Sequence, residues 1–134
     1  MSVFTDAELE YLRQRTMGRL ATVGPDGRPH VIPLTFHYNA EEDAIDLGGI
    51  NFAAGKKWRD ASRNPKVTIL IDDASPEGAR AIEVRGDAEL HKTGGNWINP
   101  RFRNFVPQFM RVRPRRIVSW GLEEEGFHPF GRDV

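Results

Sequence analysis

The chain of 134 residues contains no cysteine. Disulfide frameworks, thiolate zinc sites and cysteine nucleophiles are thereby excluded. It has no excess of either charge, with Lys+Arg and Asp+Glu at 19 each. That balance argues against non-specific nucleic-acid binding, which needs a basic surface. No apolar run approaches the 18 residues of a membrane span, and no apolar leader follows Met1. A soluble, cytoplasmic protein with no membrane partner is expected. Repeats and low-complexity tracts are absent too. The length suits one domain, 1–134, able to bury a core without covalent staples.

What is present in quantity is turn chemistry: 13 Gly and 9 Pro. Thr5 followed by Glu8 is a capping-box pattern, and Leu9 and Leu12 give the helix behind it one apolar stripe. Residues 19–24 read as a strand, and Asp26-Gly27 as a hairpin turn. Residues 29–38 alternate cleanly, with Ile32, Leu34, Phe36 and Tyr38 on one face and Val31, Pro33, Thr35 and His37 on the other. Pro33 cannot donate to a ladder, so the strand is an edge or bulged there. Residues 44–50 form the return strand. Ala54, Trp58 and Ala61 then recur at helical spacing, and Asn64-Pro65 ends that helix. Strands follow at 66–72 and 79–90, with a bulge at Gly86, and another at 111–122. The segment 92–110 holds a short helix over Pro100–Phe105, and the tail after 122 reads as irregular. Trp58 and Trp97 read as core. Six strands in hairpins around one intervening helix predict a mainly β fold, a small antiparallel barrel. An α+β sandwich is the rival architecture.

The stretch GKKWRDASRNPKV, 55–67, places Lys56 and Lys57 at a helix start. Cations there oppose the helix dipole by about 0.3–1 kcal/mol each. Either both are solvated and screened, or they form an anion site with the free N–H groups of the first turn. Gly55 lets the backbone approach such an anion, and Gly48-Gly49 lies just upstream. A ring over those glycines with its phosphate on the lysines points to a mononucleotide-like cofactor. His30 and His37 lie on opposite faces of one strand and read as structural. No Ser/His/Asp spacing or metal-ligand cluster stands out, so no catalytic residue and no metal is assigned. Hydride transfer needs neither.

The succession GRPHVIPLTFHY, AIDLGGI, GKKWRDASRNPKVTILID and ARAIEVRGDAEL resembles the pyridoxamine-phosphate-oxidase-like split-barrel flavoproteins, from about Phe4 to Leu90, with a weaker continuation through RPRRIVSWG. The resemblance implies a split β-barrel of six antiparallel strands that works as a homodimer with cofactor sites at the subunit interface. It makes Lys56 and Lys57 the phosphate ligands, beside Gly55. It runs the strand His30, Val31, Ile32, Pro33, Leu34, Thr35 past a flavin-type ring, flanked by Gly49, Ile50 and Asn51. Trp120, followed by Gly121, is a further candidate to line the ring pocket across such a dimer.

The full-length oxidases end near an Arg-Leu-x-Pro motif, where this chain ends in GRDV. They also carry Gln where this chain has Ala81. Pyridoxal phosphate chemistry is therefore not implied. PHVIPL and RPRRIVSWGL are more similar to the deazaflavin branch, which implies coenzyme F420 and hydride transfer to an unsaturated small-molecule substrate. FMN in a flavin oxidoreductase, or a non-catalytic flavin-binding module, are the alternatives.

The arginines Arg101, Arg103, Arg111, Arg113, Arg115 and Arg116 read as charge on an edge strand, or as a cradle for the cofactor's acidic tail together with Arg59 and Arg63. Phe102, Phe105 and Phe109 have little chain to cover them, and a subunit interface is expected to do so.

Overall fold

The computed structural model describes residues 1–98, 105–122 and 129–134, without the Trp97 side chain. Helix α1 spans Asp6–Gln14 behind the expected capping box: the Thr5 hydroxyl accepts from the Glu8 amide, and Glu8 accepts from the Thr5 amide. Strand β1, Met17–Val23, turns at Asp26-Gly27 into β2, Pro29–Asn39, and then β3, Ala44–Gly48. A single turn of tight helix, Phe52–Ala54, leads into helix α2, Lys56–Arg63. Strands β4, Lys66–Ser75, and β5, Gly78–His91, form the longest hairpin. Strand β6 is Phe109–Trp120, and β7 is Phe130–Asp133.

Every pairing is antiparallel, in the order β3-β2-β1-β4-β5-β6-β7. The first half of β6 also pairs with β3, Ile45 opposite Val112 and Leu47 opposite Met110. That pairing closes six strands into a barrel, and the sandwich alternative falls. Its interior is filled by Leu20, Ile45, Leu47, Ile69, Ile71, Ile82, Val84, Met110, Val112 and Ile117, all without exposed surface. Each large side chain buried in this way stabilises by about 1.5–3 kcal/mol. Helix α1 packs near the start of β1, with Tyr11 Oη donating to Asp73 on β4. Helix α2 packs by the end of β1, where Thr22 donates to Asp60. Among the described residues no helix is long and apolar enough to cross a membrane.

The bulge expected at Gly86 is present: Arg85 pairs with Arg116 but Gly86 with Pro114. A Cβ on Gly86 would stand 2.2 Å from the Arg113 carbonyl oxygen, so only glycine fits.

Three expectations need correction. The tail is not irregular throughout: β7 pairs with Arg116–Ser119, the half of β6 left free by β3. Arg132 fastens it to α1 by two bonds to the buried Glu8 carboxylate, 2.6 and 3.1 Å. Phe105 and Phe109 need no partner subunit, because they pack with Ile98 in a small second cluster. Nor is β6 an edge strand. The helix expected over Pro100–Phe105, the Trp97 side chain, Phe102, Arg101 and Arg103 lie outside the described residues.

Candidate functional site

Strand β2 pairs with β1 from Pro29 to Thr35, but with β3 only from Thr35 onward. Its first half therefore has one edge free of ladder partners, and Pro33 sits in that half, where its missing N–H costs nothing. Beside this edge lies a groove of about 370 Å³. Ile32, Pro33, Leu34 and Thr35 form one wall. Met17, Gly48, Gly49, Ile50, Phe52 and Phe105 supply the rest, and Lys57 closes one end.

The two lysines have different surroundings. Lys56 Nζ lies 2.9 Å from both oxygens of Asp60, one turn along its own helix. Asp60 is buried and also accepts from the Thr22 hydroxyl. The Lys56 ammonium holds the Asp60 carboxyl below its ordinary pKa against the opposing effect of burial, and Thr22 adds to the lowering. Lys57 instead turns over the Phe52 ring, 4.9 Å from its centroid. Among the described residues no carboxylate pairs with it. Burial alone pushes its pKa down, the mark of an ammonium that lacks compensation. No side chain caps the start of α2, and Gly55 stands at the cap position. Lys57 Nζ lies 3.1 Å from where a Gly55 Cβ would be. A half-buried ammonium and free N–H groups thus converge on one place, the donor set a phosphate needs.

The two glycines of the upstream pair differ as well. A Cβ on Gly48 would come within 2.8 Å of Ile98 Cδ1, the tip of a side chain that would have to turn aside. A Cβ on Gly49 would meet only Phe52, at an ordinary 3.6 Å. Nothing in the fold requires Gly49, and it borders the groove.

Of the residues singled out from sequence, the groove gathers Ile32, Pro33, Leu34, Thr35, Gly49, Ile50 and Lys57. Gly55 stands at its cationic end as the α2 cap. Asn51 precedes it with a left-handed backbone, φ 56°. Val31 points outward from β2 and is exposed, while His30 is half-buried. Trp120 stands at the far end of β6 opposite Ala81 and does not line the groove of its own chain. Met17 and Phe52 went unnoticed in the sequence, where an isolated apolar residue beside a turn carries no ligand signal, and Phe105 was expected at a subunit interface and not in the groove.

Among the described residues the arginines of β6 build no such cradle. Arg111 makes a forked pair with Asp46, at 2.8 and 3.1 Å. Arg113 bonds Glu89 and Glu42, Arg115 bonds Asp87, and Arg116 bonds Asp133. These four guanidinium groups lace β6 to its neighbours. Arg59 and Arg63 on α2 have no acidic partner among the described residues; Arg59 donates to the Ala54 carbonyl. A larger depression of about 440 Å³ lies between β1, β4 and β5, but its Arg115 is the one spoken for by Asp87.

The family model for pyridoxamine 5'-phosphate oxidase matches residues 4–121. The chain is 37% identical, over 98% of its own length and 93% of the relative's, to a 5a,11a-dehydrotetracycline/5a,11a-dehydrooxytetracycline reductase of Streptomyces rimosus subsp. rimosus. Among solved structures it is similar to an F420 reductase, with TM-score 0.63 and 26% identity, covering 81% of this chain and 93% of that one. General Stress Protein 26 of Bacillus anthracis str. Sterne superposes with TM-score 0.72 over 96% of this chain and 97% of that one, at 18% identity, a likeness of fold alone.

Proposed function

This chain belongs to the pyridoxamine 5'-phosphate oxidase family, and we propose that within it the protein is a reductase. It would use coenzyme F420 to reduce a conjugated carbon–carbon double bond in a small polycyclic substrate, of the kind its Streptomyces relative is named for. The observation that carries this reading is Lys57: a half-buried ammonium with no acid partner among the described residues, at an uncapped helix start, closing a groove that borders a free strand edge.

The residues fit a ring with a phosphate. Lys57 and the first-turn N–H groups of α2 take the phosphate. Ile32, Pro33 and Ile50 offer the ring apolar surface and keep water from it, backed by the buried Leu34 and Phe52. The unpaired backbone groups of β2 before Thr35 offer donors and acceptors to the polar edge of a heterocycle. Bound there, a deazaflavin supplies a hydride, two electrons at once. Lys56, committed to Asp60, adds positive potential without a bond of its own. Arg59 and Arg63 remain as the cations for an acidic tail, a much smaller set than the sequence suggested.

Met17, Val31 and Ile50 are each more than half exposed along the groove and the free edge. A second copy of the chain covering them would complete the site as a homodimer, and Trp120 would then serve its partner's groove. FMN is the second reading, favoured by the engagement of Arg111 to Arg116 in ion pairs, which removes most of the cation expected for a polyanionic tail. Titration with F420 and with FMN decides. Tighter F420 binding that persists as an air-stable reduced complex supports the proposal. Tighter FMN binding at every salt concentration overturns it.

A further inference from the structure

A second groove, of about 430 Å³, opens on the other side of Thr35. Its floor is apolar, with Leu12, Phe36 and Ile98. Its wall carries Arg13 and Arg15 from the end of α1 and His37 from β2, and among the described residues no carboxylate lines it. The cations are loosely engaged. Arg13 lies 3.9 Å from Glu10, both more than half exposed, and Arg15 lies 3.5 Å from Asp73. His37 is exposed and makes no side-chain hydrogen bond among the described residues. The two grooves share Thr35, and Ile98, which floors the second, presses on Gly48, which lines the first.

We propose that this second groove is the substrate end of the site, and that it takes a planar polycyclic acceptor carrying an ionised oxygen, a carboxylate, phenolate or enolate. The inference rests on the cofactor ring occupying the first groove. The apolar side chains in the floor meet the rings of such a molecule. The cationic wall meets its oxygen, and the volume is that of a small-molecule site. The same charge suits the reaction. A hydride added to the far carbon of a conjugated enone sends the π electrons to the carbonyl oxygen. Arg13 and Arg15 then face the enolate so formed, until the adjacent carbon takes a proton from water. Arg15 also lies 6.0 Å from the Tyr11 ring, so its position is partly structural, whereas Arg13 is held only by its exposed pair with Glu10.

The probes are anthraquinone-2-carboxylate and its neutral carboxamide, titrated into cofactor-loaded protein. Tryptophan fluorescence and the absorption spectrum of the bound cofactor are read together. The carboxylate should bind about tenfold tighter than the amide, the effect of one charge-assisted contact. It should also perturb the cofactor spectrum, because the grooves adjoin. The double variant Arg13→Gln with His37→Gln should cut the preference to that left by Arg15 alone, while leaving cofactor affinity and Tm unchanged. Equal affinity for the two probes in the unmodified protein, or a preference that the double variant leaves undiminished, overturns the proposal. So does probe binding that leaves the cofactor spectrum untouched. A chain that binds neither F420 nor FMN fails at the earlier step: the reductase reading falls, and the substrate end falls with it even if the probe still binds.

Discussion

Replacing the two adjacent lysines by alanine, one at a time, should produce opposite phenotypes. Lys57 has no carboxylate partner among the described residues, and burial lowers its pKa. In the proposed cofactor complex it would supply a charge-assisted hydrogen bond, about 1.5–3 kcal/mol. Lys57→Ala should therefore weaken cofactor binding roughly ten- to hundredfold. The apo protein should be little affected, because the lost contact with the Phe52 ring, about 0.5–1 kcal/mol, is offset by relief of a poorly solvated charge. Lys56→Ala removes the partner of the buried Asp60 carboxylate instead. It should lower Tm by several degrees and change cofactor affinity far less.

The pH dependence carries the same signature. The folded apo state binds fewer protons than the unfolded chain between the depressed Lys57 pKa and the ordinary lysine value. Apo stability should thus rise slightly with pH across that window. Cofactor affinity should fall across it, as the ammonium loses its proton. Neither trend should survive in Lys57→Ala. Isothermal titration for affinity and thermal melts for stability, at several alkaline pH values, measure both. An unchanged affinity in Lys57→Ala refutes the phosphate assignment. Equal affinity losses in the two variants refute the division of labour between the lysines.

Gly49→Ala should fold normally, since its Cβ meets only Phe52 at 3.6 Å, yet bind cofactor more weakly because the methyl enters the groove; melts and titration separate the two effects. Gly86→Ala should cost about 1–3 kcal/mol in denaturant unfolding, because its Cβ collides with the Arg113 carbonyl and the bulge must shift. Arg132→Gln should cost about 1–3 kcal/mol by depriving buried Glu8 of its counter-charge. Burial pushes the Glu8 pKa up, but Arg132, Ser119 and the Thr5 amide together bring it below its ordinary value. Its stabilisation is present above the ordinary carboxylate pKa and lost as pH falls through the folded value, so the gap between wild type and Arg132→Gln should close in acid. If Arg59 and Arg63 meet an acidic tail, F420 affinity should drop with salt more steeply than FMN affinity; parallel salt dependences speak against that contact.

What was legible in the sequence was local. The Thr5/Glu8 box, the Asp-Gly turn, the two-residue period of β2 and the Asn-Pro stop of α2 each depend on neighbours a few positions apart. The fate of Lys56 was local too: Asp60 lies four residues on, the spacing of a helical ion pair, and that signal was available. The arginines of β6 could not be placed in this way. Their partners, Glu42, Asp46, Asp87, Glu89 and Asp133, come from other parts of the chain. Only the register of a closed barrel sets those residues opposite β6. Strand β7 was invisible for a related reason. Four residues carry too little periodicity, and its place is fixed by the unpaired half of β6 and by the need of Glu8 for a cation.

That pairing bears on why Lys57 is the proposed anchor of the site. A neutral chain with 19 cations and 19 anions can satisfy most of its charges internally, and β6 shows it doing so strand by strand. Lys56 shows that even at the start of α2 the sequence supplies an acid where a lysine is structural. Lys57, one residue later, is more deeply placed and receives none among the described residues. Desolvation without a partner costs stability, and the packing around Phe52 does not require an ammonium, since any apolar side chain of similar length would cover the ring. A residue that adds nothing net to the free protein, at a helix start where its charge is disfavoured, is accounted for by the state in which that charge is met. An anion at this position removes both penalties at once.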